Sequence, residues 1–276
     1  MATSVRDLLR YDGTLPDPAA TPGVKGKDAA AKGIAKAAPE LAALQERLYA
    51  NGKVDKRSRA LLVLQGMDAS GKDGTVKHVV GLVNPAGCRI TSFGAPTKDE
   101  LAHDFLWRIT NALPGPGQLG VFNRSHYEDV LVVRVHDLVP RAEWSRRYAR
   151  INAWERRLVQ SGTPVLKVYL HLSPEEQRSR LLERLKDPTK HWKVGPDDIK
   201  ERHLWPAYRE AYDAVLTRCS TDGAPWYVVP ADRKWYRDWA VTQLLRETLR
   251  DLHLPWPTPT GLDLKAMVKE LKAERG

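Results

Sequence analysis

Cysteine is scarce in this chain. Only Cys88 and Cys219 occur in 276 residues. They match no metal-ligand spacing, and so few thiols exclude a disulfide framework and suit a reducing compartment. No apolar run approaches the roughly 20 residues that cross a bilayer. The opening residues, MATSVRDLLRYDG, carry charges and lack the apolar stretch of a signal peptide, so a cytoplasmic protein without a membrane partner is expected. The eight histidines are scattered and form no ligand cluster. No internal repeat is present. The nine tryptophans fall mainly in helical stretches, which reads as core and interface. A nucleic-acid binder would interleave aromatic and basic residues on an exposed surface, so nucleic acid is not an expected partner.

The hydrophobic content of 42% supports a sizeable core, and the length suits one large α/β domain with additions. The formal charge of +10 arises from 44 Lys and Arg against 34 Asp and Glu. That surplus suits a polyanion such as nucleic acid, an anionic membrane or an inorganic phosphate chain, although solubility alone also accounts for it.

Residues 60–80 read ALLVLQGMDASGKDGTVKHVV. Ala60 to Gln65 form the near-continuous apolar run of a strand buried on both faces. Gly66-Met-Asp-Ala-Ser-Gly71-Lys72 follows with the G-x-x-x-x-G-K spacing of a phosphate-cradling loop, and a helical stretch comes next. Gly66 and Gly71 let the backbone curl, so that amides at Ala69, Ser70 and Gly71 face one anion. The helix N-terminus through Asp73, Gly74 and Thr75 adds partial positive charge, and Lys72 adds a full one. Asp73 stands where such loops normally carry a Mg²⁺-binding Ser or Thr. Asp68 lies inside the loop, where phosphate repulsion disfavours a carboxylate unless it holds Mg²⁺, or Mn²⁺ as the alternative. An ordinary Gly-rich turn is the competing reading.

Residues 1 to about 37 read as an arm or partly disordered leader, and Pro39 to Asn51 as an amphipathic helix. Further strands are expected at Cys88–Phe93, Leu119–Phe122, Pro164–Leu170 and Trp226–Val229. Helices are expected from Thr97 to about Ala112, Tyr127 to Val135, Arg141 to Gln160, Arg233 to His253 and Leu262 to Glu274. Thr97 and Glu100 have capping-box spacing, as do Ser125 and Glu128. Strand and helix alternation implies a parallel sheet covered on both sides, with ligands at the carboxyl ends of the strands. The loops at Gly66, Phe93 and Asn123 should therefore share one rim. The organisation expected is an arm and helix (1–55), a phosphate-binding α/β domain (56–255) and a tail helix (256–276).

Between Arg178 and Arg202 the sequence reads RSRLLERLKDPTKHWKVGPDDIKER. Arg180 and Arg184 share a helical face, and Lys186, Lys190 and Lys193 follow in a Pro- and Gly-punctuated turn. A basic helical hairpin over about residues 178–205 can close on phosphates as a lid and exclude water. The plainer alternative is a solvated helix with Glu176 and Arg180 as an i,i+4 pair.

GMDASGKDG (66–74), FNRSHYEDV (122–130), RLKDPTKHWK (184–193), DDIKERHLWPAY (197–208) and ADRKWYRDWAV (231–241) together resemble the polyphosphate kinase 2 family, in order and over most of the chain. The branch resembled is class III, the polyphosphate-dependent AMP/ADP phosphotransferases. The resemblance implies a P-loop kinase-like α/β/α fold with a five-stranded parallel sheet and a helical lid. It implies Mg²⁺-dependent transfer between inorganic polyphosphate and adenine nucleotides, with guanine nucleotides as a further option. By resemblance, Lys72 and the loop amides cradle phosphate, Asp68 holds the metal and Arg124 bridges donor and acceptor. Asn123 replaces a second acid common in the family, and Asn123 with Glu128 suggests that AMP is accepted as well as ADP. Arg180 and Arg184 resemble lid arginines, Lys186 and Lys190 belong to the lid turn with Lys193, and Arg233 and Lys234 resemble polyphosphate-channel positions. Thr97 and Lys98 are candidates for nucleotide contact, although Thr97 also reads as a helix cap. An ATP-dependent nucleoside monophosphate kinase and a non-enzymatic polyanion binder are the rival readings. Amphipathic helices at both ends are compatible with a homo-oligomer.

Overall fold

Burial on both faces of the first strand sets the architecture. In β1 (Ala60–Gln65) every residue is buried. Leu62 and Leu64 belong to one apolar cluster, while Leu61 and Val63 belong to another. A strand with two buried faces needs helices above and below it. The computed structural model describes residues 4–258 and 261–274. It contains one sheet with β1, β2 (Cys88–Ser92), β3 (Leu119–Asn123), β4 (Val165–His171) and β5 (Trp226–Pro230), in the spatial order β2-β3-β1-β4-β5. All pairs are parallel.

Twelve α-helices lie among the described residues. The first five are α1 (Val5–Leu9), α2 (Lys27–Asp55), α3 (Lys72–His78), α4 (Lys98–Leu101) and α5 (Trp107–Asn111). The middle of the chain supplies α6 (Val132–Val135), α7 (Arg141–Gln160), α8 (Pro174–Lys186), α9 (Pro196–His203) and α10 (Trp205–Cys219). The last two are α11 (Lys234–Arg250) and α12 (Leu264–Ala273). α2 and α11 supply one covering layer, α7 and α10 the other. The expected five-stranded α/β/α arrangement is therefore present.

The register places three loops side by side. Leu64 pairs with Asn123, and Asn123 pairs with Ser92. The segments after β1, β3 and β2 thus leave the same edge of the sheet from adjacent strands.

Three expectations differ from the fold. The leader is not a loose arm: α2 begins at Lys27, and Val5, Leu9 and Ala30 are buried in the core. Its Ala-rich start favours helix. Burial of Ala37, Leu41, Leu44 and Leu48 carries the helix through Pro39, against a cost of about 3 kcal/mol for an interior proline. The segment after Thr97 is two short helices rather than one. The Asp104 side chain accepts from the Leu106 amide at 3.0 Å and its carbonyl from the Trp107 amide at 2.8 Å, so the chain turns there and a fresh helix starts where continuation was expected. The stretch after Ser125 begins as a 3₁₀ turn, His126–Val130, before α6.

The leader is tied down by polar bonds as well. Glu247 accepts from the amides of Val5 and Arg6 at 3.2 and 3.1 Å, and Tyr236 donates to the Pro22 carbonyl at 3.0 Å. Leu9→Ala should therefore lower unfolding free energy by about 2–4 kcal/mol, as a buried leucine does. Urea denaturation measures this; a change below about 0.5 kcal/mol, typical of a surface site, would contradict the packing.

Candidate active site

Gly66 starts the loop after β1 because nothing larger fits: a Cβ there would lie 2.7 Å from Ser70 Oγ and 2.8 Å from the Leu170 carbonyl. The chain then turns through left-handed backbone at Ala69 (φ +61°) and Gly71 (φ +100°) into α3. Lys72 folds back over this curl, donating to the carbonyls of Gly66 at 2.7 Å and Met67 at 3.2 Å. Burial lowers its pKa, and the nearby Asp68 charge opposes that shift.

Across the rim, Arg124 leaves β3 in left-handed backbone (φ +63°), its amide bonded to the Leu64 carbonyl at 3.0 Å. Its guanidinium donates to Asp68 Oδ1 at 3.0 Å. Burial works against this charge, but Glu128 and Asp68 outweigh it and raise the Arg124 pKa. Asp73 accepts from Asn123 Nδ2 at 2.8 Å and from Lys193 Nζ at 3.0 Å, and so joins the loop, β3 and the basic hairpin. Burial opposes ionisation of Asp73, yet the Lys193 and Asn123 bonds hold its carboxyl below the usual range.

These groups line a cleft of about 560 Å³. Of the residues singled out in the sequence, Asp68, Ala69, Gly71, Lys72, Asp73 and Gly74 form its floor. Asn123, Arg124, Arg180, Arg184, Lys190, Lys193 and Lys234 form its walls. Gly66, Ser70 and Thr75 lie beneath the loop, all buried. Glu128 stands behind the floor: its carboxylate accepts from Gln65 Nε2 at 3.1 Å, whereas the Ser125 hydroxyl accepts from the Tyr127 amide.

Several residues do not reach the cleft. Thr97 and Lys98 are exposed outside it, and Thr97 forms the full capping box with Glu100. Arg233 donates to the Ala19 carbonyl at 3.0 Å instead. Lys186 is exposed away from the lining.

Arg180 requires a correction. It is 5% exposed, and all five of its N–H donors are used. They reach the carbonyls of Ala69, Ser70, Ala231 and Asp232 at 2.6–3.1 Å and Glu176 at 2.8 Å. It therefore staples the phosphate-cradling loop to the end of β5, with no donor left for a mobile lid to present. Arg184, one turn further on, makes no side-chain hydrogen bond among the described residues and faces the cleft.

Sequence reasoning missed Arg237, Gln177 and Trp192. Arg237 covers the loop so closely that a Cβ at Gly71 would lie 1.8 Å from its Nη1. It pairs with Asp238 at 2.7 Å, and Asp238 also meets His78 at 3.0 Å. Its position in the first turn of α11, just past the rim end of β5, was the available signal. Gln177 donates to the Asp68 carbonyl at 3.0 Å and accepts from Arg202 at 2.9 Å. Trp192 lines the cleft while 78% exposed.

The family described as Polyphosphate kinase 2 (PPK2) matches residues 25–254. The chain belongs to the polyphosphate kinase 2 family. It is 49% identical over 244 residues to the AMP/ADP-polyphosphate phosphotransferase of Meiothermus ruber, covering 88% of this chain and 90% of that one. It is 43% identical to the ADP-polyphosphate phosphotransferase of Rhodopseudomonas palustris, covering 83% and 82%. The crystal structure of Polyphosphate Kinase 2 from Arthrobacter aurescens superposes with a TM-score of 0.94 at 45% identity, over 99% of this chain and 98% of that one. Within this member of the polyphosphate kinase 2 family, the departure noted at Asn123 has a structural consequence: an amide there donates to Asp73, which a carboxylate could not do.

The two hairpin arginines should separate by experiment. Arg180→Ala leaves four backbone carbonyls without their partner and should cost roughly 3 kcal/mol or more. Arg184→Ala should leave the melting temperature within about 2 °C while altering kinetics alone. Calorimetry beside steady-state assays reads both; equal melting temperatures for the two variants would contradict the assignment.

Proposed function

We propose that the cleft transfers a terminal phosphoryl group between inorganic polyphosphate and adenine nucleotides, taking AMP to ADP and ADP to ATP. The observation that carries this reading is the meeting of Lys72, Asp68 and Arg124 in one cation-rich cleft. The relatives named for the same reaction support it.

Phosphoryl transfer passes through a loose, charge-spread transition state, so catalysis is positioning and charge stabilisation. Lys72 and the loop amides hold one phosphate. Arg124 bridges donor and acceptor and stabilises charge on the moving group. The hairpin acts as the lid, with Arg184, Lys190 and Lys193 neutralising phosphate oxygens and excluding water. Lys234 guides the polyphosphate chain. No strong base is required, because the acceptor is an ionised phosphate. Glu128 and Asn123 set acceptance of AMP beside ADP.

The acidic groups fit a cation shared with the substrate. Asp68 is a half-exposed carboxylate at the cleft, and no cluster of three or more His, Cys, Asp or Glu exists among the described residues to cage a metal. Mg²⁺ typically takes one or two carboxylates together with phosphate oxygens. Asp68 would hold Mg²⁺, or Mn²⁺, which when bound supplies further neutralisation of phosphate charge.

Among the described residues no helix is long and apolar enough to cross a membrane, and Cys88 and Cys219 are free thiols. Both support a cytoplasmic enzyme with nucleotides and polyphosphate as partners. The exposed apolar side chains of α12, Leu264, Met267, Val268 and Leu271, support a homo-oligomer.

The direct test is purified protein with Mg²⁺ and polyphosphate, given AMP, ADP, GMP or GDP in separate reactions without ATP. ADP should form from AMP; absence of product until ATP is added would assign a nucleoside monophosphate kinase. EDTA should abolish turnover. Arg124→Ala should lower kcat by about a thousandfold or more with the fold intact, and retention of most of kcat would remove Arg124 from the clamp. KM for long-chain polyphosphate should rise steeply between low and moderate salt, as phosphate contacts weaken.

A further inference from the structure

We infer that His126, Tyr127, Glu155 and Lys167, buried behind the cleft, position Arg124 for phosphoryl transfer; this rests on the role proposed above for Arg124. None of the four lines the cleft. Each is 0–1% exposed.

The group is organised around one carboxylate. Glu155, on α7, accepts from Tyr127 Oη at 2.8 Å and His126 Nε2 at 3.2 Å on one oxygen, and from Lys167 Nζ at 2.6 Å on the other. Lys167, in the middle of β4, also donates to Tyr127 Oη at 2.9 Å and to the Cys219 carbonyl at the end of α10. All three ammonium protons are used. Burial lowers the His126 pKa, and the bond to Glu155 opposes that shift.

Stability alone is a weak reason for such a group. Buried ion pairs can often be exchanged for apolar residues of similar volume at little cost. What singles this one out is its attachment. Two of its members are the second and third residues after Arg124. Arg124 holds left-handed backbone, which costs an L-residue of its size about 1–2 kcal/mol and persists only where the surroundings over-determine it. On one side its amide is fixed to Leu64. On the other, Ser125 is extended and fully buried, and His126 and Tyr127 are locked to Glu155. The Tyr127 ring also packs against Trp226 with centroids 4.8 Å apart. The strained arginine is thus pinned between β1 and a buried carboxylate, which aims its guanidinium along the rim at Asp68. The four are positioning residues and touch no substrate.

A double-mutant cycle tests the coupling. Tyr127→Phe deletes one hydroxyl and leaves the direct Glu155–Lys167 bond. Glu155→Leu with Lys167→Met removes both buried charges together. Each is combined with Arg124→Lys, and kcat, both KM values and the melting temperature are measured. Arg124→Lys alone should lower kcat about a hundredfold, and each network variant about tenfold with KM values within about twofold, since misplacement by about 1 Å is enough for such losses. Added to Arg124→Lys, neither network variant should lower kcat further. Losses that multiply in both backgrounds, or a native kcat in the network variants, would overturn the inference. An Arg124→Lys enzyme with native kcat would overturn the role of Arg124 itself, and the inference with it. Tyr127→Phe decides the matter if the double exchange does not fold.

Discussion

Like charges repel, and this cleft gathers many of one sign into a small volume. The structure manages the repulsion by giving most of its cations an acidic neighbour, and burial sorts those pairs into two kinds. Arg180 is 5% exposed with its donors fixed on carbonyls and Glu176, and Arg237 is 3% exposed with its Nε and Nη2 held by Asp238. Removing water makes such bonds strong and their loss costly. They form a rigid frame around the phosphate-cradling loop. Asp68–Arg124, Asp73–Lys193, Glu183–Lys234 and Asp187–Lys190 are instead substantially exposed. Pairs of that kind contribute about 0–1 kcal/mol each. A phosphate chain with several negative charges can displace those carboxylates at small cost, so the cations are held apart and oriented beforehand yet remain available.

The frame is only as useful as its aim. β1 lies between β3 and β4, and parallel pairing sets the ends of β2, β3 and β1 level with one another. Side chains from distant parts of the sequence therefore meet without a long loop to reach across. Two of the rim segments use left-handed backbone at residues other than glycine, Ala69 and Arg124. Each sits on a buried support: Arg180 bonds the Ala69 carbonyl, and the Glu155 group underlies the segment after Arg124. Strain at the rim is tolerated because buried hydrogen bonds beneath hold both segments.

Local signals account for what was legible beforehand. The apolar run of β1, the glycine spacing of the loop and the helical stretch Arg141–Gln160 are all signalled locally, and β1 and α7 appear at their expected bounds. What failed depended on contacts far along the chain. The leader looked unstructured because its partners, Glu247 and α11, lie more than 200 residues away. A helix through Asp104 was broken by a turn whose carboxylate also pairs with the distant Arg150. Arg180 and Arg184 share a helical face and a residue type, so spacing could not tell them apart. Depth alone separates the staple from the free charge, and depth is a property of the packed layers.

The surplus of positive charge can now be placed. Eight lysines and arginines line the cleft against four Asp and Glu, so a net charge of about four is concentrated there out of the +10 on the whole chain. A surface excess spread for solubility would not collect in one concavity, where low-dielectric walls focus the field. Nor does the wall resemble a reader of bases. Aromatic rings are few, with Phe93 buried and Trp192 the one tryptophan among the lining residues, whereas single-strand binders stack successive bases on rows of exposed rings. A concave, strongly cationic wall with so little aromatic surface selects for phosphate as such, which is the chemistry that polyphosphate and a nucleotide tail have in common.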